Sequence, residues 1–310
     1  MEKAAGTGQL HQRPHSFGAK ETFRAAQHGL LDLARSVRLN QRALIAFVLS
    51  LSAFVLTPCF GQIPSEKDYL AAVLPPELIR YAGVEVPFQE NIHICSDSTG
   101  RYLQFRLVPG QAKKNNGIRA EISVDFPYKV GDIVRYKWQM RLPEDFNGDE
   151  PKNRWWVMGQ WHDQPDRTKG ETWQGFPGRS PPVSFNYGRR DGKDFLSLLV
   201  GSPKMKSVGL LPITRGAWHS IDVIIKWSQG VDGQVEVFLD GSQAPVVTGT
   251  GPNMHNGFHH YLKLGMYRHP EIATENRLDI RNVSIEHLKD WPEAEKAPQE
   301  KPAPQQDSQR

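Results

Sequence analysis

The sequence predicts an all-β fold, a two-sheet antiparallel β-sandwich or jelly roll, and three observations support this prediction. Ten segments alternate apolar and polar residues, or are rich in β-branched and aromatic residues, as strands are. Asn-Gly and Asp-Gly pairs, which favour tight turns, recur between these segments. The 27 Gly, 23 Pro and 10% aromatic residues suit many strands joined by many turns. The predicted strands are 102–108, 118–125, 133–141, 155–162, 183–187, 195–200, 220–227, 234–239, 261–268 and 278–287.

The chain divides into a leader (1–61), a β-domain (62–289) and a tail (290–310). Residues 43–56 form an uncharged apolar run of 14 residues after a basic stretch, which is typical of a secretory signal peptide cleaved near Gly61. A membrane span needs about 20 apolar residues, so this run is short for one. The alternative is that the leader stays uncleaved and anchors the protein to a membrane. We expect a secreted or periplasmic protein. The tail is rich in Pro, Glu, Gln and Lys and is predicted to be disordered.

The net charge of +4 belongs to the leader rather than to the β-domain. Residues 1–61 contain seven Lys or Arg and three Asp or Glu, which leaves 31 residues of each sign in the rest of the chain. Overall charge therefore gives no argument for nucleic acid, and attraction of an acidic ligand has to be local. After cleavage Cys95 is the one remaining cysteine, so an intramolecular disulfide is excluded. We expect a monomer with a single short helix over 75–81, which has Pro near its start.

Three separate predicted strands each carry polar side chains on one face, because side chains alternate between the two faces of a strand. The three sets are Arg119 with Glu121, Gln160 with His162, and Tyr261 with Lys263 and Tyr267. Each set has a structural alternative. Arg119 and Glu121 can form an ion pair, His162 can be a hydrogen-bonded histidine at a strand end, and 261–267 can face water as an amphipathic strand. Gly265 on the third strand leaves room for a close approach to the backbone.

In their order along the chain, the three segments resemble the motifs of the jelly-roll polysaccharide lyases. Those enzymes carry an Arg-x-Glu strand, a Gln-x-His strand and a Tyr-x-Lys-x-Gly-x-Tyr strand. The surrounding sequence is similar to the heparin lyase I-like and glucuronan lyase group (polysaccharide lyase family 20), which is related in motifs to alginate lyases. The resemblance spans roughly residues 85–288. It implies a concanavalin A-like jelly roll and an acidic polysaccharide substrate.

The resemblance also implies β-elimination at a 4-linked uronic acid, with a role for each residue. Gln160 and Arg119 would stabilise charge on the sugar carboxylate, His162 would be the base and Tyr267 the acid, its pKa lowered by Lys263. In some related lyases the tyrosine is both base and acid, and Tyr261 is the alternative phenol. The residues predicted to bind substrate are Glu121, Tyr261, Lys263, Arg268 and Arg189, with Trp173, Tyr187 and Arg190 as further candidates for flanking subsites.

No cofactor is required by this chemistry, and the relatives allow a structural calcium ion whose ligands the sequence does not assign. His255, His259, His260 and His269 cluster near the third strand, but no carboxylate or cysteine joins them at ligand spacing. A sandwich glucanase would need a Glu-x-Asp-x-x-Glu strand, which the sequence lacks. A non-catalytic, lectin-like carbohydrate-binding protein stays open as the alternative, and so does the choice among glucuronan, alginate and heparin-like polymers.

Overall fold

The computed structural model describes residues 63–148 and 154–292 of the chain. It confirms the predicted fold class, since fourteen strands form two antiparallel sheets of seven strands each. The predicted leader and residues 293–310 of the predicted tail lie outside the described residues. No helix within the described part is long and apolar enough to cross a membrane.

Two short helices precede the strands, α1 (Glu66–Ala71) and α2 (Pro76–Ile79). The second lies within the predicted helix over 75–81, and the first was not predicted. Helix α1 begins at a capping box in which the Ser65 hydroxyl and the Asp68 carboxylate each bind the other residue's backbone N–H. Its Glu66 carboxylate accepts a hydrogen bond from the Val84 N–H at 2.8 Å and so binds the first strand at the sheet edge.

The first sheet, called the groove sheet, has the order β1-β4-β13-β6-β7-β8-β9. The second, called the back sheet, has the order β12-β11-β10-β5-β14-β3-β2. The strands are β1 (Ala82–Glu85), β2 (Ile92–Asp97), β3 (Gly100–Leu107), β4 (Ile118–Val124), β5 (Ile133–Arg141), β6 (Trp156–His162), β7 (Val183–Arg190), β8 (Lys193–Val200), β9 (Lys206–Ile213), β10 (His219–Lys226), β11 (Gln234–Leu239), β12 (Val247–Thr250), β13 (Tyr261–Arg268) and β14 (Asn276–Leu288).

The core lies between the two sheets and is rich in aromatic rings. Trp161 of the groove sheet packs edge-on against Tyr136 of the back sheet, with ring centroids 5.0 Å apart, and against Trp138 at 6.3 Å. Each such pair contributes about 0.5–1.5 kcal/mol beyond the burial of its surface. Because Trp161 faces the core, its two neighbours Gln160 and His162 face the other side of the groove sheet.

Candidate active site

The fold brings the three polar segments together as adjacent strands, β4, β13 and β6, in the groove sheet. Tyr267 lies opposite Arg119 across the β4–β13 ladder. Across the β13–β6 ladder, Lys263 lies opposite Gln160 and Tyr261 opposite His162. Residues up to 148 positions apart in the sequence (Arg119 and Tyr267) are therefore direct neighbours on one sheet face.

A buried carboxylate organises the centre of this face. Glu121 is 1% exposed; its Oε1 accepts a hydrogen bond from Gln160 Nε2 at 2.6 Å, and its Oε2 pairs with Arg119 Nη1 at 3.2 Å. Burial raises the pKa of Glu121, against the opposing effects of Lys263 and Arg119. Glu121 was predicted to bind substrate, but at this depth it instead holds Arg119 and Gln160 in position.

A second carboxylate, Glu85, reaches the same cluster from the edge strand β1. Its Oε2 accepts hydrogen bonds from Lys263 Nζ at 2.7 Å and Asn115 Nδ2 at 2.9 Å, and Arg119 Nη1 lies 3.6 Å away. Burial opposes ionisation of Glu85, but Lys263 and Arg119 outweigh it and lower the pKa. Glu85 was not predicted from the sequence, because its short strand carries no recognisable motif and its partners lie far along the chain.

His162 is held by the residue that follows it. Its Nδ1 lies 2.7 Å from the Asp163 carbonyl oxygen and 3.3 Å from Asp163 Oδ1. Because a carbonyl oxygen can only accept, Nδ1 carries the proton and Nε2 holds the lone pair that a base needs. Asp163 is fully buried and its other oxygen pairs with Arg179 Nε at 2.5 Å.

The two tyrosines occupy different surroundings. Tyr261 lies beside His162, with ring centroids 5.8 Å apart, and burial together with the charges of Glu85 and Glu121 raises its pKa. Tyr267 lies under the Arg119 guanidinium, whose central carbon is 4.2 Å from the ring centroid. Lys263 was predicted to act on Tyr267, but its ammonium lies over the Tyr261 ring at 5.2 Å, so Arg119 is the cation in contact with Tyr267.

Two cavities run across this face and meet at Arg119, His162 and Gly178, which line both. The one on the β1 side, called the β1 half, has a volume of about 680 Å³ and is also lined by Glu85, Tyr261 and Lys263. The one on the β7 side, called the β7 half, measures about 590 Å³. Arg119, Gln160, His162 and Tyr267 all line the β7 half. The four residues predicted to be catalytic thus share one cavity.

Two predicted substrate contacts lie elsewhere. Arg268 directly follows Tyr267, so it points to the opposite face, where it is 1% exposed and donates to the Thr274 carbonyl oxygen at 2.6 Å. Arg189 shares the core-side face of β7 with Tyr187, and its Nε lies 3.8 Å from Asp194 Oδ1. Neither residue lines the β1 half or the β7 half, which corrects both predictions.

Of the further candidates for flanking subsites, Trp173 is brought to the groove. It lies in the long connection between β6 and β7, is 52% exposed and lines the β1 half. Tyr187 is buried against Trp156 in the core and donates to Asp194 Oδ1. Arg190 lies at the end of β7, where its guanidinium is 6.0 Å from the Phe195 ring. Of these three candidates, only Trp173 lines the groove.

The rings of the four clustered histidines contact different groups. His259 pairs with Asp125 Oδ1 at 3.0 Å, whereas His260 is buried and accepts a hydrogen bond from the His255 N–H at 3.1 Å. His269 packs on Trp155 with ring centroids 5.8 Å apart. Among residues 63–148 and 154–292 no group of three or more His, Cys, Asp or Glu side chains is placed to hold a metal ion. The predicted calcium ion stays a prediction.

The state of His162 leads to a prediction about pH. Burial lowers the pKa of His162 below its ordinary value of 6.5, and the opposing effects of Asp163 only partly offset this. A base works in its neutral form, so activity should rise with pH as the imidazolium loses its proton. We expect the acidic limb of kcat/KM against pH to have its midpoint below 6.5. A midpoint above that value would contradict the prediction that His162 is the base.

Asp163 is expected to make His162 a stronger base. Its carboxylate raises the pKa of His162, so Asp163→Asn should move the acidic limb of the pH profile to lower pH. The weaker base should also lower kcat by about tenfold. The amide still accepts a hydrogen bond from Arg179, and an unchanged Tm would show that the loop is intact. A lower kcat without any movement of the limb would mean that Asp163 is structural.

The fold and the site together define a β-sandwich protein with a polar groove across one sheet, in which a guanidinium, an amide, an imidazole and a phenol line one cavity. The chain belongs to the polysaccharide lyase family, whose model matches residues 90–284.

The individual proteins that the chain is similar to share low sequence identity with it. The chain is 27% identical over 210 residues to a citrate-binding protein of Hevea brasiliensis, covering 66% of this chain and 76% of that protein. It is similar to the endo-β-1,4-glucuronan lyase of Trichoderma reesei, at 15% identity and a TM-score of 0.45 over 63% of this chain and 85% of that one. A marine alginate lyase of Aplysia kurodai is 14% identical, with a TM-score of 0.46 over 64% of this chain and 88% of that one.

Proposed function

We propose that this protein is a secreted polysaccharide lyase that cleaves a 4-linked uronic-acid polysaccharide by β-elimination, close in kind to the glucuronan lyase and heparin lyase I-like group. The observation that carries the proposal is the shared lining of the β7 half by Arg119, Gln160, His162 and Tyr267. Membership of the polysaccharide lyase family supports it. The leader pattern over residues 1–61 supports secretion.

The chemistry first requires strong hydrogen-bond donors at the sugar carboxylate. The proton at C5 is too weakly acidic to leave while the adjacent carboxylate keeps its full charge, so that carboxylate needs strong donors as charge develops. Arg119 supplies a charge-assisted hydrogen bond and Gln160 an amide one. Glu121, beneath both, fixes their positions without facing the substrate. This preorganisation lets the donors act without rearrangement during the reaction.

In the proposed step, His162 Nε2 takes the proton from C5. The C5–H electron pair becomes the C4=C5 double bond, the bond from C4 to its glycosidic oxygen breaks, and the Tyr267 hydroxyl gives its proton to that oxygen. The products are an unsaturated uronate and a free hydroxyl on the departing chain. His162 then loses its added proton to solvent, and Tyr267 takes a proton from solvent, which restores both side chains. The step consumes no cofactor.

The proposal is tested by mixing the protein with glucuronan, alginate and heparin and following the ultraviolet absorbance of the unsaturated product. A rise in absorbance with at least one polymer is expected. No rise with any polyuronate in a broad panel, from a protein that is folded, would contradict the proposal. Hydrolysis would yield reducing ends without the absorbance, so a parallel reducing-end assay separates the two reactions.

A second candidate is a protein that binds a carboxylate or an acidic sugar without cleaving it. One observation favours this candidate: the relative from Hevea brasiliensis is named a citrate-binding protein, and citrate carries carboxylates as a uronate does. Saturable binding of citrate or of a uronate oligosaccharide, with no absorbance change, would support it.

A further inference from the structure

The two halves of the groove differ in the charge of their lining. The β7 half is lined by Arg119 and Arg179, and by no carboxylate of the described residues. The β1 half contains the carboxylates Glu85 and Asp125 beside Lys263, Arg167 and the shared Arg119. A uronate carboxylate is therefore attracted to the β7 half, whereas in the β1 half it meets groups of its own charge.

Glu85 is placed to keep a substrate carboxylate away from the cations of the β1 half. Its Oε2 lies 2.7 Å from Lys263 Nζ and 2.9 Å from Asn115 Nδ2, at ordinary hydrogen-bond lengths. A second carboxylate at Lys263 would have to displace Glu85 or sit beside it at the same charge. Glu85 lies before residues 90–284, the part of the chain that the family model matches.

The rest of the β1 half suits the apolar face of a sugar ring. Trp173 is 52% exposed, and its ring lies 5.4 Å from that of Phe176 and 6.5 Å from that of Tyr261. Aromatic rings provide flat contact area for the C–H face of a sugar, which carries no charge. Exposed aromatic side chains beside a lysine that is already paired with Glu85 suit an uncharged sugar.

We propose that the β1 half binds an uncharged sugar ring and that Glu85 excludes a uronate from it. The inference rests on the proposed function, because it takes the polymer to run along the groove past Arg119 and His162. The preferred substrate is then a polysaccharide in which the 4-linked uronate is followed or preceded by an uncharged sugar. A polymer made of uronates alone is the poorer substrate.

The test compares two polymers on wild-type protein and on Glu85→Gln. One is glucuronan, and the other is an unsulfated polymer of alternating glucuronate and N-acetylglucosamine, in which the uronate is 4-linked. Wild type should have the higher kcat/KM on the alternating polymer. Glu85→Gln should raise kcat/KM on glucuronan about tenfold relative to the alternating polymer, since it removes the repelling charge. Glu85→Asp keeps the charge and should keep the wild-type preference.

A matched control is Glu275→Gln, which also removes the charge of one carboxylate from an ion pair, here with Arg106. Glu275 lines neither half of the groove. This variant should leave the preference unchanged. A wild-type preference for glucuronan, or an unchanged ratio in Glu85→Gln, would overturn the inference.

Binding measurements separate this inference from the proposed function. Calorimetry with oligosaccharides of both polymers reports subsite preference even without cleavage. Selective binding of the alternating oligosaccharide, lost in Glu85→Gln, together with no absorbance change, would reject the lyase and keep the subsite. Cleavage without any preference would reject the subsite and keep the lyase, and no binding of either oligosaccharide would reject both.

Discussion

His162→Ala and Tyr267→Phe are each expected to lower kcat by about 10²–10⁴-fold, the range typical of a lost general base or acid. Both side chains line the β7 half together with Arg119 and Gln160. His162 has its Nδ1 proton bound to the Asp163 carbonyl oxygen, which leaves Nε2 to take a proton. Tyr267→Phe removes one hydroxyl and keeps the ring under the Arg119 guanidinium, so its effect isolates the proton that the phenol gives.

The pH dependence of the same variants tests whether His162 or Tyr267 is the base. If His162 is the base, the acidic limb of the pH profile belongs to it, and His162→Ala should remove that limb from the residual activity. If Tyr267 serves as both base and acid, the limb should survive in His162→Ala. Tyr261→Phe should have a much smaller effect on kcat, since we assign the acid to Tyr267.

Controls for these variants exist in the chain. His93→Ala removes an exposed histidine from β2 of the back sheet and should leave kcat unchanged. Thermal unfolding should show wild-type Tm values for all variants, because His162 and Tyr267 lie at the groove rather than in the core. Near-normal rates in both His162→Ala and Tyr267→Phe on a polymer that wild type cleaves would show that the active site lies elsewhere.

The strands that the sequence predicted and those it missed differ in their place in the sheets. All ten predicted strands are confirmed, and they fill the interior positions of both sheets. The four that were missed, β1, β2, β9 and β12, are the four edge strands. An edge strand forms ladder hydrogen bonds on one side only, so it can be short or contain Gly and Pro. Pro212 within β9 is an example.

The site was predictable where it depends on alternation along a strand and was missed where it depends on the fold. Alternation placed Arg119, Gln160 and Lys263 on one face, and the register of the ladders confirmed it. The same rule, applied to Arg268, would have placed that residue on the core side, where it lies. Glu85 could not be found this way, because its partner Lys263 is 178 residues away and a separate edge strand brings them together.

Gly265→Ala is expected to destabilise the fold by about 2–5 kcal/mol, through backbone strain and steric overlap together. A Cβ at this position would lie 2.3 Å from the Ala120 carbonyl oxygen and 2.7 Å from Glu121 Cα, both on the neighbouring strand β4. The group that approaches Gly265 closely is thus the backbone of the adjacent strand. Its φ of +140° is also a conformation that side chains rarely adopt.

Gly265→Ala should also lower kcat. Gly265 lies between Lys263 and Tyr267 on β13 and opposite Glu121 on β4. The β13–β6 register shifts between Leu264 and Tyr267, so the local geometry of this segment sets where the Tyr267 ring lies. Pushing β13 away from β4 should separate Tyr267 from Arg119. We therefore expect kcat to fall in Gly265→Ala even at temperatures where the protein is fully folded.

The matched control is Gly100→Ala. Gly100 has nearly the same φ, +136°, but a Cβ there would meet no atom within 4 Å. It therefore carries the cost of the backbone conformation without the overlap, and the difference in unfolding free energy between the two variants measures the close approach of β4. Gly265→Ala should lose more stability than Gly100→Ala and should alone lose activity. Equal losses of stability with unchanged kcat would show that the conformation, and not the packing of β13 on β4, requires glycine at position 265.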